Sequence, residues 1–262
     1  MQFFKYHGAG NDFVLIDDRG NSIHETFDKA TIARWCDRHF GVGADGFMFL
    51  RDHADYDFEM IYYNSDGARS SMCGNGGRCI VRFAADLGMF KDECRFLAVD
   101  GPHRARLIDD GVSLEMLDVS GIEGGAGDDV FILDTGSPHY VAFRDSIADV
   151  DVFQEGRSIR NSEPHAEEGI NVNFIAEAED GIDIATYERG VEDETLACGT
   201  GVTAAAIAYI VRTGVEDDSF HVAVHAKGGD LGVRGRGSDG RFTELWLEGP
   251  AVRVFEGKYE RE

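Results

Sequence analysis

No run of 18 or more consecutive apolar residues occurs in this chain of 262, which argues against a membrane-spanning helix. Its opening, MQFFKYHGAGND, has no charged segment leading into an apolar stretch and a small-residue cleavage site. A secretory leader is therefore not expected, and the cytoplasm is. Basic residues are in short supply: 25 Lys and Arg stand against 49 Asp and Glu, a formal net charge of −24. Such a surface repels phosphate backbones and anionic lipid, so neither nucleic acid nor membrane is expected as a partner. The acidity has two readings, an ordinary acidic enzyme or adaptation to concentrated salt, which screens self-repulsion. A gain in stability between dilute and molar KCl separates them. Cysteine is sparse, with 5 residues: Cys36, Cys73, Cys79, Cys94 and Cys198. An odd number in a chain too large to need staples points to thiols in a reducing compartment rather than a disulfide framework. Cys73 and Cys79 are six apart and no C-x2-C pair exists, so no zinc site is expected. Cys36, Cys79 and Cys94 read as small buried hydrophobes.

What the chain does contain, it contains twice. Glycine is abundant at 33 against 4 prolines, and many short alternating segments end at Gly or Asp, the pattern of strands and hairpins. Three segments carry helical spacing: DKATIARWCDRHF, opened by Asp28 as a cap, and GNGGRCIVRFAADLG and GTGVTAAAIAYIVRTG, each closing on glycine. In the first half a strand, FEMIYYN, leads through a polar loop to Cys73. In the second, IDIATYERG leads through an acidic loop to Cys198. A helix, a strand, a glycine turn and a hairpin come after each cysteine. The expected fold is α+β: two pseudo-symmetric domains, each a curled, mainly antiparallel sheet around a central helix. The first spans residues 1–118 and the second 119–249, starting in the Gly- and acid-rich stretch VSGIEGGAGDD, with the tail 250–262 available to pair with the first.

Cys73 and Cys198 are set apart from the other cysteines by the residues next to them. Each precedes Gly-x-Gly and a small-residue apolar run, the start of a helix. The first turn of a helix presents unpaired N–H groups and a partial positive charge. A thiolate is stabilised there, and so is a ligand anion such as a carboxylate. Three readings stay open on the pattern alone. Two acid/base thiols could invert an α-carbon, one removing a proton and the other delivering one to the opposite face. The pair could be a redox dithiol, although such pairs sit at C-x-x-C spacing and these are 125 apart (198 minus 73). Or the turns could be structural or bind phosphate, a use that needs the glycines but not the cysteines.

The segments HGAGNDFVLID, HFGVGADG, YNSDGARSSMCGNGGRC, GSPHYVAF, NVNF, YERGVEDETLACGTG and GPAVRVFEG resemble diaminopimelate epimerase, in order and along nearly the whole chain. The resemblance implies a cofactor-independent epimerase of lysine and cell-wall precursor synthesis, interconverting LL- and meso-diaminopimelate, homodimeric and with no metal. Cys73 and Cys198 match its catalytic thiols. Asn11, Asn64, Gly74, Asn75, Asn171, Glu188, Arg189, Gly199 and Thr200 match substrate-binding positions, and His139 and Glu188 match residues that adjust the thiols. Arg189 suits a distal carboxylate, which it can grip through two parallel hydrogen bonds. Taken without the resemblance, the asparagines are turn formers and Glu188-Arg189 is a surface pair. Ser137 stands where the family usually has Asn, and Gly46 where some members have Gln. Within enzymes the rival is a proline or hydroxyproline racemase of the same fold. Outside them it is a non-catalytic amino-acid-binding protein, which would be marked by loss of one thiol.

Overall fold

The computed structural model describes residues 1–70, 72–124, 128–214 and 218–260. Residues 125–127 of the Gly- and acid-rich stretch VSGIEGGAGDD lie outside them. The chain divides into two compact units, Met1–Leu114 with Gly249–Glu262, and Glu115–Glu248.

In the first unit, strands β1 (Gln2–Gly8) and β2 (Asn11–Asp18) form a hairpin. β3 (Gly46–Arg51) runs parallel to β2, and β4 (Phe58–Asn64) antiparallel to β3. β5 (Glu93–Ala98) runs parallel to β4, followed by antiparallel β6 (Gly101–Ile108) and β7 (Gly111–Glu115). The last strand of the chain, β16 (Val252–Lys258), pairs antiparallel with β1. Side-chain alternation lets this sheet bury both faces. Phe3, Phe47 and Phe49 pack with Ile32 and Trp35 of helix α1 (Lys29–Cys36). On the other face Phe4 meets Phe83 of helix α2 (Gly74–Asp86), and Met48 lies against Gly76.

The second unit repeats the connectivity. β8 (Val130–Asp134) and β9 (Pro138–Phe143) are antiparallel, β10 (Asn171–Ala178) runs parallel to β9, and β11 (Gly181–Glu188) antiparallel to β10. The short β12 (Asp193–Thr195) pairs with β11. β13 (Ser219–Ala226) is parallel to β11, and β14 (Gly229–Ser238) and β15 (Arg241–Gly249) close antiparallel. Helix α3 (Val152–Arg160) takes the place of α1, between the hairpin and the parallel strand, and α4 (Gly199–Thr213) the place of α2. α4 is Ala-, Val- and Ile-rich on nearly every side and is buried accordingly, with strands β8 to β11, β13 and β14 around it.

α3 is not among the three helices read from sequence. It carries Gly156 in its interior, which lowers helix propensity. The glycine is there because a Cβ would lie 2.4 Å from Tyr187 Cβ. α1 ends earlier than its pattern suggests, at Cys36, because the Asp37 carboxylate accepts the His39 and Phe40 N–H groups at 2.7 and 2.8 Å and turns the chain. Among the described residues no helix is long and apolar enough to cross a membrane.

One surface cluster makes a pH-dependent contribution. His225 on β13 has Nδ1 2.8 Å from Asp230 and Nε2 2.9 Å from Asp180. Both carboxylates accept from the ring only when it carries two protons, so these bonds raise its pKa above the ordinary 6.5. The stabilisation is complete below the unfolded pKa and is lost as pH rises through the folded one. His225→Gln should lower the unfolding free energy by up to about 1 kcal/mol near pH 5.5, both aspartates being exposed. Near pH 9 it should be neutral, and urea midpoints at the two pH values check this.

Candidate active site

Cys73 is the N-cap of α2, in extended backbone at φ −109° and ψ 148°, and its Sγ accepts the Gly76 N–H at 3.2 Å. The glycines after it sit in tight quarters. A Cβ at Gly76 would lie 3.1 Å from that Sγ, and one at Gly77 would lie 2.9 Å from Met72 Sδ and 3.0 Å from Leu114. Asn75, in the first turn, is buried. Its Oδ1 accepts from Arg78 Nη2 at 2.8 Å, and its Nδ2 donates to Asn11 Oδ1 at 3.4 Å. Asn11 in turn donates to Asp45 Oδ2 at 2.9 Å. Arg38 anchors this end, holding Asp45 at 2.6 Å and Asp12 at 2.8 Å, while buried Lys5 reaches Asp12 at 2.7 Å. Burial alone would raise the Asp12 carboxyl, but the hydrogen bonds from Arg38 and Lys5 outweigh it and hold the group well below the usual carboxylate range.

Four of the predicted residues, Cys73, Gly74, Asn75 and Asn11, thus meet at one end of α2. Asn64 is exposed at the end of β4, paired with Gly46, the residue after the Asp45 that Asn11 bonds, in a turn closed by the Gly67 N–H on its carbonyl at 2.9 Å. The Gly46 departure has a packing reason: a Cβ there would lie 2.5 Å from the Tyr62 ring and 3.0 Å from its hydroxyl. Tyr62 fills the volume a longer residue 46 would take.

In the second unit Cys198 is the N-cap of α4, again extended, and buried with its Sγ 3.4 Å from Thr200 Oγ1. The Thr200 carbonyl accepts from Thr135 Oγ1 at 2.9 Å, which ties this turn to the β8–β9 corner. There Ser137 Oγ accepts from Asn171 Nδ2 at 2.8 Å and from Arg189 Nη2 at 3.3 Å. Asn171 Oδ1 accepts the Arg189 N–H at 2.9 Å, and Asn171 lies opposite His139 in the parallel pairing. Ser137 at the variant position therefore remains a hub for two predicted site residues. Glu188 ends β11, and burial pushes its carboxyl up.

His139 is fully buried, and burial, aided by the Arg189 charge, pushes its pKa down to about 3. The imidazole is neutral at physiological pH. Its Nδ1 lies 3.0 Å from Asn173 Nδ2. The amide orientation is set by its other bonds, with Oδ1 accepting from Thr186 Oγ1 at 3.0 Å and Nδ2 donating to Tyr140 O at 3.2 Å. Asn173 therefore donates to Nδ1, the ring proton sits on Nε2, and Nε2 has no hydrogen-bond partner among the described residues. A buried donor held without a partner is costly to keep. Asn173 was not singled out in the sequence. The signal was present, since residues 171 and 173 share a strand face, but the first asparagine of NVNF looks like the second. A Cβ at Gly201, in the first turn of α4, would lie 2.4 Å from Asn173 Oδ1. That glycine lets the Cys198 turn settle against the Thr186–Asn173–His139 chain.

Each unit thus offers one thiol at the mouth of a buried helix, beside first-turn N–H groups suited to a carboxylate. All five cysteines are thiols. Among the described residues no group of three or more His, Cys, Asp or Glu is placed to hold a metal ion.

The family model of diaminopimelate epimerase matches residues 3–119 and 131–254. A diaminopimelate epimerase of Flavobacterium psychrophilum is 45% identical over 258 residues, covering 98% of this chain and 99% of that protein. The chain belongs to the diaminopimelate epimerase family. As a member of the diaminopimelate epimerase family it is an isomerase, and its fold is shared more widely. A PhzF-family phenazine biosynthesis protein of Bacillus anthracis matches with a TM-score of 0.77 at 13% identity, over 100% of this chain and 99% of that one. A hydroxyproline epimerase of Agrobacterium vitis matches with a TM-score of 0.65 at 14% identity, over 98% and 91%. Likeness at such identities is one of architecture: two pseudo-symmetric halves, each a mainly antiparallel sheet around a central helix.

Proposed function

We propose that this chain interconverts LL- and meso-diaminopimelate without a cofactor, with Cys73 and Cys198 as the opposed acid and base. The observation that carries the reading is the repeated N-cap cysteine. Each thiol opens the buried helix of its own unit, after a matching hairpin, helix and strand pair, and belongs to a chain of the diaminopimelate epimerase family. Inversion needs two such groups, since a lone base returns the proton to the face it left. One thiolate takes the α-proton and the other thiol delivers one opposite. The carbanion's charge spreads into the carboxylate, where N–H groups of Gly74, Asn75, Gly199 and Thr200 stabilise it. A positioned acid or base contributes ~10²–10⁴-fold, and exclusion of water strengthens the rest.

Asn11, Asn64, Asn171, Glu188 and Arg189 bind the substrate in this reading, Arg189 gripping the distal carboxylate. His139 and Glu188 adjust the thiols. The protein works as a cytoplasmic homodimer on this small molecule, in lysine and peptidoglycan precursor synthesis. The test is incubation of the purified protein separately with LL-diaminopimelate, L-proline and trans-4-hydroxy-L-proline, with stereoisomers resolved by chiral chromatography. The expected product is meso-diaminopimelate alone. Inversion of the proline substrates, or no change in any of the three, would overturn the proposal.

A further inference from the structure

Arg78 is fully buried, at 0% exposure. Its partners are three oxygens: Gly74 O at 3.3 Å, Asn75 Oδ1 at 2.8 Å and Pro250 O at 3.4 Å. Among the described residues the groups that act on it electrostatically, from every element packed against α2, are the Cys79 and Cys73 thiols and no carboxylate. Burial pushes its pKa down to about 10, which leaves the guanidinium charged at neutral pH. Burying a cation with no counter-charge is among the costliest choices a core can make.

The matching helix holds the equivalent carbonyl without a cation. Arg78 lies five residues after Cys73, and five residues after Cys198 comes Thr203. Thr203 is also fully buried, and its Oγ1 donates to Gly199 O at 3.0 Å, as Arg78 Nη1 donates to Gly74 O. The same first-turn carbonyl is held in both helices, once by a neutral hydroxyl and once by a cation. The cation does two further things. It fixes the Asn75 amide with oxygen toward Arg78 and nitrogen toward Asn11, whose own amide is fixed from the far side by Asp45. It also adds a permanent positive charge to the partial charge of the helix start.

We propose that Arg78 is a positioning residue of the Cys73 half-site, its buried guanidinium locking the Asn75 amide and supplying positive potential for the two anions that form there, the Cys73 thiolate and the reacting carboxylate. The proposal rests on the two-thiol function proposed for that site.

The test uses Arg78→Met, which removes the charge at similar length, and Arg78→Lys, which keeps the charge but cannot span the three oxygens of Gly74, Asn75 and Pro250. Iodoacetamide alkylation across pH, read by peptide mass spectrometry, tracks Cys73 with Cys198 as an internal reference. In Arg78→Met the Cys73 midpoint should rise by about one pH unit, because the thiolate has lost a nearby cation. The Cys198 midpoint should stay, and kcat should fall ~100-fold with KM little changed. In Arg78→Lys the Cys73 midpoint should stay near wild type while kcat falls ~10-fold. An unchanged Cys73 midpoint in folded Arg78→Met overturns the proposal whatever happens to the rate. If that variant does not fold, Arg78→Lys decides, with wild-type kcat or an equal midpoint shift at both cysteines counting against. The alkylation needs no substrate, so a wild-type chain that leaves diaminopimelate untouched overturns the functional reading and not this one.

Discussion

Cys73→Ser and Cys198→Ser should each lose on the order of 10²–10⁴-fold in turnover, while the protein stays folded and still binds diaminopimelate. Serine nearly matches cysteine in size, so the packing around each N-cap survives. At Cys73 the side chain already accepts the Gly76 N–H at 3.2 Å, and serine is a good N-cap residue. Cys73→Ser should therefore leave the urea midpoint level or slightly higher. The chemistry does not survive, because a hydroxyl holds its proton far more tightly than a thiol and cannot serve as an anionic base near neutral pH. In the proposed mechanism each thiol handles one face, so either single change should impair both directions of the reaction. The check is kcat for both directions together with a binding isotherm for each variant. A single variant that turns over at the wild-type rate would end the two-base account.

The second large effect is expected at Asn173→Asp, a change of one NH2 group into an oxygen. Asn173 donates to His139 Nδ1 at 3.0 Å and to Tyr140 O at 3.2 Å. An aspartate at this position can only accept. It pulls the ring proton from Nε2 to Nδ1, leaving an acceptor where the native histidine has its donor. Beside a carboxylate the imidazole also becomes easier to protonate, reversing the environment that pushes it down to about 3. The Tyr140 carbonyl meanwhile faces a like charge. Turnover should fall by on the order of 100-fold or more, as for a catalytic histidine held in its wrong tautomer, and stability by about 1–3 kcal/mol. The imidazole 15N signals of His139 identify the tautomer directly. Retention of the Nε2–H form, or unchanged turnover despite the switch, would remove His139 from the proposed mechanism.

What the residues disclosed in advance depended on the range of the interaction behind them. Asp28 as a cap, the glycines closing α2 and α4, and the alternation of the hairpins are local, and each was readable. The two cysteines were readable because the chain repeats them in the same surroundings, which no single helix start could establish. β3 is Gly-Phe-Met-Phe-Leu-Arg with both faces covered, so its strand period is hidden. The need for Gly156 comes from Tyr187, and the reason for Gly46 is Tyr62. Tyr62 is placed by strand register and Tyr187 by the packing of α3 on β11, neither by sequence neighbourhood. Arg78 in "GGRC" reads as an exposed helix cation until its burial beneath the Asn75 amide is seen. Asn173 differs from Asn171 only in what stands across the sheet: Thr186 and the His139 ring for one, Ser137 and Arg189 for the other.

The reaction run in D2O from unlabelled LL-diaminopimelate and stopped at low conversion bears most directly on whether two separate groups serve one stereocentre. The acceptor thiol holds the substrate's proton while the donor thiol has already exchanged with solvent. The meso product should therefore carry deuterium at one α-carbon, and the recovered LL substrate should carry none. Deuterium entering recovered substrate as fast as product, or product keeping the original proton, would contradict the account.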